Sequence, residues 1–129
     1  ELLKLNERER VSMKKFYCYR RCSTCAKARK WLVQNNVPYH EIEIVETPPD
    51  STELLRLIAT KKHPLKYFFN TSGIKYRELK LKDRIADLSD LEASKLLASD
   101  GKLIKRPLMI EGEHFTCGFK EDLYQREWL

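Results

Sequence analysis

The sequence predicts a small α/β domain made of a β-α-β unit, a helical insertion and a closing β-β-α unit. Three observations predict it. The aromatic, β-rich run KKFYCYRR gives way at Cys22 to a helical pattern. YHEIEIVE sets Ile42 and Ile44 against Glu41 and Glu43 with the two-residue period of a strand. PLMI and EHFTC, divided by a turn at Glu111 and Gly112, read as a hairpin. At 129 residues the chain is long enough for one core and too short for two, so residues 13–129 are read as a single domain.

The elements follow in order. After the first strand, Ala26, Trp31 and Leu32 mark the apolar side of a helix that stops near NNVP, where Asn35 and Asn36 tolerate a left-handed C-cap and Pro38 biases Val37 away from helix. The strand at Ile42 and Ile44 comes next. Two prolines and Asp50 or Ser51 then introduce a helix through Leu54, Leu55, Leu57 and Ile58. The stretch from His63 reads as short helices broken at NTSG, with Ser89 or Asp90 capping a run through Leu91, Leu96 and Leu97 to a stop at Gly101. Tyr67, Phe68 and Phe69 read as core of a short helix in preference to a contact patch. KEDLYQREWL closes the chain as an amphipathic helix. Residues 1–12 stand apart as a charged N-terminal extension, and Met13 would make a natural start codon.

Composition narrows the class. Hydrophobic content of 42% and charged content of 34%, with no apolar run near the ~20 residues of a membrane span, predict a soluble protein. The charged N-terminus has no secretion-signal pattern, which makes a cytoplasmic location the expectation. There thiols are kept reduced, so Cys18, Cys22, Cys25 and Cys117 are expected to be free, catalytic or metal-binding. The net charge of +6 favours anionic partners without selecting one. Direct nucleic-acid binding is not expected, because cations and acids interleave and no recognition-helix motif stands out.

Cys22 and Cys25 form a CxxC between the first strand and the first helix, which is the thioredoxin-like signature. At a helix start a sulfur meets unpaired N–H groups and the positive end of the macrodipole, and Arg20, Arg21 and Lys27 are expected to act in the same sense. Cys22 is then the attacking thiolate, and Cys25, one turn on, resolves the mixed disulfide. A zinc site needs four ligands, and Cys18, Cys117 or His114 would have to converge on the pair. An inert core pair is the other alternative. Cys18 and Cys117, on strands among apolar residues, read as core. In LIKRPLMI, Arg106 reads equally as a guanidinium facing an anion and as a surface arginine at a strand edge.

Taken together, FYCYRRCSTCAKARKWL, FFNTSGIKYRELKLKD, LLASDGKLIKRPLMI and CGFKED resemble the arsenate reductase-like (ArsC/Spx) family of thioredoxin-fold proteins, over Met13 to the C-terminus. The likeness is strongest to its CxxC-bearing, arsenate reductase-related (Spx/MgsR-like) branch. The resemblance implies that Cys22 is the redox cysteine, that Arg106 holds an oxyanion or stabilises the thiolate, and that Pro107 is the cis-proline beside the active cysteine. Ser23 and Thr24, between the cysteines, complete the expected substrate-binding set with Arg106 and Pro107. Asn70 and Gly118 stand about where arsenate reductases of the family carry further arginines, which implies weak oxyanion affinity. The implied function is a thiol-disulfide oxidoreductase served by thioredoxin, glutaredoxin or a small thiol, with no cofactor. The alternative is an Spx-like redox-sensing regulator that contacts RNA polymerase.

Overall fold

The computed structural model describes residues 13–129; the N-terminal extension lies outside the described residues. Four strands, β1 (Lys15–Cys18), β2 (His40–Glu43), β3 (Leu108–Glu111) and β4 (His114–Cys117), form one sheet in the order β2-β1-β3-β4. β1 pairs parallel with β2 and antiparallel with β3, and β3 pairs antiparallel with β4. Among the described residues five α-helices accompany it: α1 (Ser23–Gln34), α2 (Ser51–Ala59), α3 (Ile74–Glu78), α4 (Asp90–Ser99) and α5 (Glu121–Trp128). The β-α-β, insertion, β-β-α order expected from the sequence is the observed one.

Strand alternation sorts the core into two layers. Phe16, Cys18 and Met109 point to one face, where Cys25, Ala28, Trp31 and Leu32 of α1 and Tyr124 and Trp128 of α5 cover them. Tyr17, Leu108, Ile110, Phe115 and Cys117 point to the other, under Leu54, Leu57 and Ile58 of α2, Ala93 and Leu97 of α4, and Phe68, Phe69, Tyr76 and Leu81 of the insertion. Each fully buried Leu or Phe contributes on the order of 2 kcal/mol. α5 is pinned by the Trp128 indole, which donates to Thr116 Oγ1 at 3.0 Å.

Helix starts differ in a way that matters below. Asp50 caps α2 by accepting from the Glu53 N–H, and Ser89 and Glu92 make a reciprocal capping box at α4. Both helices carry acids in their first turn, whereas α1 carries none and begins on a cysteine. Asn36 takes the left-handed conformation expected beyond α1. Gly101 follows α4 for a different reason from the C-cap expected: a Cβ there would lie 2.0 Å from the Ile44 carbonyl oxygen.

The insertion is stitched to the segment leading into β3. Asn70 N–H donates to the Leu103 carbonyl at 2.8 Å and Lys105 N–H to the Phe68 carbonyl at 2.9 Å, flanking a bridge between Phe69 and Ile104. Those bonds fix the backbone immediately before Arg106.

Candidate active site

Cys22 occupies the N-cap of α1, half-buried, in extended backbone. Its carbonyl accepts from the Ala26 N–H at 3.1 Å, and its own N–H donates to the Tyr19 carbonyl at 3.0 Å. The side chain makes no capping hydrogen bond, so the amides of the first turn act on the sulfur through their oriented partial charges. Burial acts to raise the Cys22 pKa and is the largest single influence; the Cys25 amide and thiol, the Arg106 charge and the Thr24 amide together outweigh it, and the thiol lies below its ordinary value. The cation is not one of those expected locally. Arg20, Arg21 and Lys27 are exposed, and Arg20 lies 4.0 Å from Glu46.

Cys25, one turn further, is fully buried. Contact with the Cys18 thiol and then burial push its pKa well up, with Cys22 adding to the effect and the Tyr19 amide opposing it. That amide donates to Cys25 Sγ at 3.3 Å. Two thiols three residues apart are thus tuned in opposite directions, Cys22 by amides and the Arg106 charge, Cys25 by the Cys18 thiol and burial. All four cysteines are unbridged.

Arg106 enters from the end of the stitched segment, followed by Pro107 across a cis peptide bond. Its guanidinium carbon lies 5.1 Å from the centroid of the Tyr19 ring, a cation–π contact. Its Nη1 is buried and has no hydrogen-bond partner among the described residues. A buried guanidinium N–H in that condition is costly unless an acceptor, a thiolate or an incoming anion, takes it. Arg106 is half-buried and leads into β3, an interior strand of the sheet, so it is not a surface residue at a strand edge.

Cys22, Thr24, Tyr19 and Arg106 line one side of an open cleft of about 1180 Å³. Tyr67 and Asn70 of the insertion line it too, and Lys102, Lys105 and Lys120 add positive charge. Gly118 also lines it, at φ +79, with a Cβ position 3.0 Å from Lys105 Cε. The two positions where the resemblance expects further arginines thus face the same cleft as Cys22. Ser23 is exposed and Pro107 buried, and neither lines the cleft; the Pro107 carbonyl accepts from the Gly118 N–H at 2.9 Å. Phe68 and Phe69 are core, whereas Tyr67 turns its hydroxyl to the Cys117 N–H at 2.9 Å.

Cys18 departs from the simple core reading. It is buried, but its Sγ accepts from Arg29 Nη2 at 3.2 Å, and the Arg29 fork is held by Glu41 at 2.9 and 3.1 Å. The available sequence signals were Cys18 lying two residues after Phe16, hence on its face, and Arg29 lying one turn beyond Cys25. Among the described residues no group of three or more His, Cys, Asp or Glu side chains is placed to hold a metal ion, and no helix is long and apolar enough to cross a membrane.

Comparison with known proteins agrees with this architecture. The chain is 51% identical over 113 residues to the uncharacterized protein YusI of Bacillus subtilis, covering 88% of this chain and 96% of that protein. It is 28% identical over 101 residues to the global transcriptional regulator Spx of Streptococcus pyogenes, covering 78% and 74% respectively. The crystal structure of "a possible arsenate reductase" from Streptococcus mutans superposes with a TM-score of 0.82 at 42% identity, covering 87% of this chain and 98% of that one. The sequence model of the ArsC family matches residues 17–126. With its thioredoxin-like sheet, its CxxC at the head of α1 and this match over most of its length, the chain belongs to the ArsC family.

Proposed function

We propose that the protein is a thiol-disulfide oxidoreductase in which Cys22 is the nucleophile and Cys25 the resolving cysteine. The observation that carries this reading is the placement of the pair: Cys22 at the head of α1 lines the cleft with Arg106 and is shifted toward thiolate, while Cys25, one turn on, is fully buried and shifted toward thiol. Cys22 attacks a substrate disulfide and Arg106 stabilises the sulfur anion at each stage; Cys25 then displaces the bound sulfur, leaving a Cys22–Cys25 disulfide. Thioredoxin, glutaredoxin or a small thiol in the cytoplasm returns the pair to the reduced state. No cofactor is required by these steps.

Arsenate reduction is a variant of the same chemistry, supported by the family and by the name of the Streptococcus mutans relative. Asn70 and Gly118 supply no guanidinium to the cleft, and each bidentate charge-assisted contact to an oxyanion is worth on the order of 1.5–3 kcal/mol. Lys102 and Lys105 offer charge without the fork, and Arg126, which also lines the cleft, is exposed and bonded through Nε to Glu127 at 3.0 Å. Disulfides are accordingly the preferred substrates over arsenate.

The test is turnover of a disulfide substrate with each donor system. Cys22→Ser is expected to be inactive and Cys25→Ser to accumulate a mixed disulfide at Cys22; full activity in Cys22→Ser overturns the reading. The likeness to Spx favours a second reading, a redox-sensing regulator whose oxidation alters docking to RNA polymerase. Retention of RNA polymerase by the oxidised protein and not the reduced one supports that alternative.

A further inference from the structure

Cys18 has no part in a two-thiol cycle, yet it shares a buried cluster with Cys25, and Cys22 packs against that same cluster. The pleat of β1 aims Cys18 at α1, and the helical spacing that turns Cys25 inward carries Arg29, four residues on, to the same face. Arg29 Nη2 donates to Cys18 Sγ at 3.2 Å. The guanidinium is oriented by two bonds to Glu41, through Nε at 2.9 Å and Nη2 at 3.1 Å. A cysteine that only fills space needs no cation on its sulfur; a fixed guanidinium is what a thiolate takes. Cys117, equally buried, belongs to the cluster on the opposite face of the sheet. The Tyr19 amide, the peptide unit that follows Cys18, donates to Cys25 Sγ at 3.3 Å, so the Cys25 sulfur lies against the Cys18 end of β1, and the Cys18 thiol is the first influence raising the Cys25 pKa.

We infer that Cys18 is a second resolving cysteine, which takes Cys25 over from Cys22 and moves the disulfide inward. The inference rests on the oxidoreductase reading above. Once Cys22 and Cys25 are bonded, the Cys18 sulfur, held against the Arg29 guanidinium, attacks Cys25 Sγ as it gives up its proton. The Cys18–Cys25 bond forms as the Cys22–Cys25 bond breaks, and Cys22 leaves as thiolate beside Arg106. The Cys18 proton passes by way of the exposed Glu41 carboxylate to solvent. No net oxidation occurs in this exchange, since the disulfide substrate has already supplied both oxidising equivalents. Cys22 is a favoured leaving group because its thiol is the one tuned downward. The outcome is a protein that holds a buried disulfide while its nucleophile is free again at the cleft.

Tryptic cleavage reads this directly. Arg20 and Arg21 separate Cys18, in FYCYR, from Cys22 and Cys25, in CSTCAK. The reduced protein is equilibrated with oxidised glutathione, quenched in acid, alkylated at low pH, digested and sequenced by mass spectrometry. The expected product is FYCYR joined to CSTCAK through Cys25, with Cys22 alkylated. Cys18→Ser should lose the cross-link and leave the loop within CSTCAK, and Arg29→Gln, which keeps the cysteine, should shift the oxidised population toward that loop. A wild-type protein that yields the loop alone, or a cross-link through Cys22, overturns the relay while leaving the Cys22–Cys25 pair standing. Neither disulfide forming overturns both.

Discussion

The backbone N–H of Tyr19 donates to Cys25 Sγ at 3.3 Å, while the ring of the same residue lies under the Arg106 guanidinium at 5.1 Å. One residue just beyond β1 therefore touches both the buried thiol and the Arg106 guanidinium that lines the cleft with the half-buried one. The Tyr19 carbonyl also accepts from the Cys22 N–H. The spacing of thiol, thiol and guanidinium is thus set by a short piece of backbone between strand and helix, and by the arginine that reaches it from the start of β3.

Removing Arg106 should raise the Cys22 pKa. Arg106→Ala deletes a side-chain cation that lowers it, and loss of a nearby opposite charge moves a pKa by roughly one unit or more. The pH profile of Cys22 alkylation, measured in a Cys25→Ser background, is expected to shift upward by that amount. Arg106→Lys is expected to shift it less, since charge is retained without the planar fork. An unchanged profile in Arg106→Ala contradicts the assigned role.

Gly101 and Gly112 should respond differently to alanine. At Gly101 a Cβ would stand 2.0 Å from the Ile44 carbonyl oxygen, a clash with backbone that cannot rotate away. Gly101→Ala is expected to cost at least ~3 kcal/mol, the upper range for overpacking. Gly112 sits at φ +66 with open space around it, so Gly112→Ala is expected to cost only about 1 kcal/mol, from backbone conformation. Urea midpoints of the two variants check the order; equal losses contradict it.

Stability should fall at alkaline pH. Cys25, Cys117, Tyr17 and Tyr124 all have pKa values pushed up in the fold, Cys25 first by the Cys18 thiol and the others first by burial. The unfolded chain ionises these groups near their ordinary values, about 8.5 for Cys and 10 for Tyr. Below those values their contribution is fully present; above them the unfolded state has released protons that the fold retains, so stability declines as pH rises. Cys22 has the opposite sign: its contribution is present above about 8.5 and is lost as pH falls through its lowered value. Under reducing conditions the urea midpoint is expected to drop between pH 8 and pH 11, flattening at the lower end through Cys22. A midpoint rising over that interval contradicts the burial of these groups.

The parts of this molecule legible in its sequence are those governed by local rules. The alternation of Ile42 and Ile44, the cap at Ser89, the break at Asn36 and the cysteine at the head of α1 each follow from neighbours a few residues away. The cis peptide at Pro107 came from family resemblance, not from pattern. What was not legible depended on which helix covers which face. Arg106 is far from Cys22 in sequence, so nearby Arg20, Arg21 and Lys27 looked like the source of positive charge, although the fold leaves all three in solvent. Cys18 and Cys117 looked alike because each is a cysteine on an apolar strand; the sheet turns one toward Arg29 and Cys25 and the other toward Tyr67. The cleft wall built from Tyr67 and Asn70 exists only because the insertion is bonded to the backbone before Arg106.

The redox equilibrium of the CxxC pair tests the central claim most directly. The protein is equilibrated across a series of reduced and oxidised glutathione ratios, trapped with a thiol reagent in acid, and scored for oxidation of the Cys22 and Cys25 peptide. A single two-electron transition that disappears in Cys25→Ser, and that Cys22→Ser fails to reach in the time the wild-type protein needs, is the predicted result. Cysteines that stay reduced across the whole series, or a transition that survives the loss of Cys25, would contradict the account.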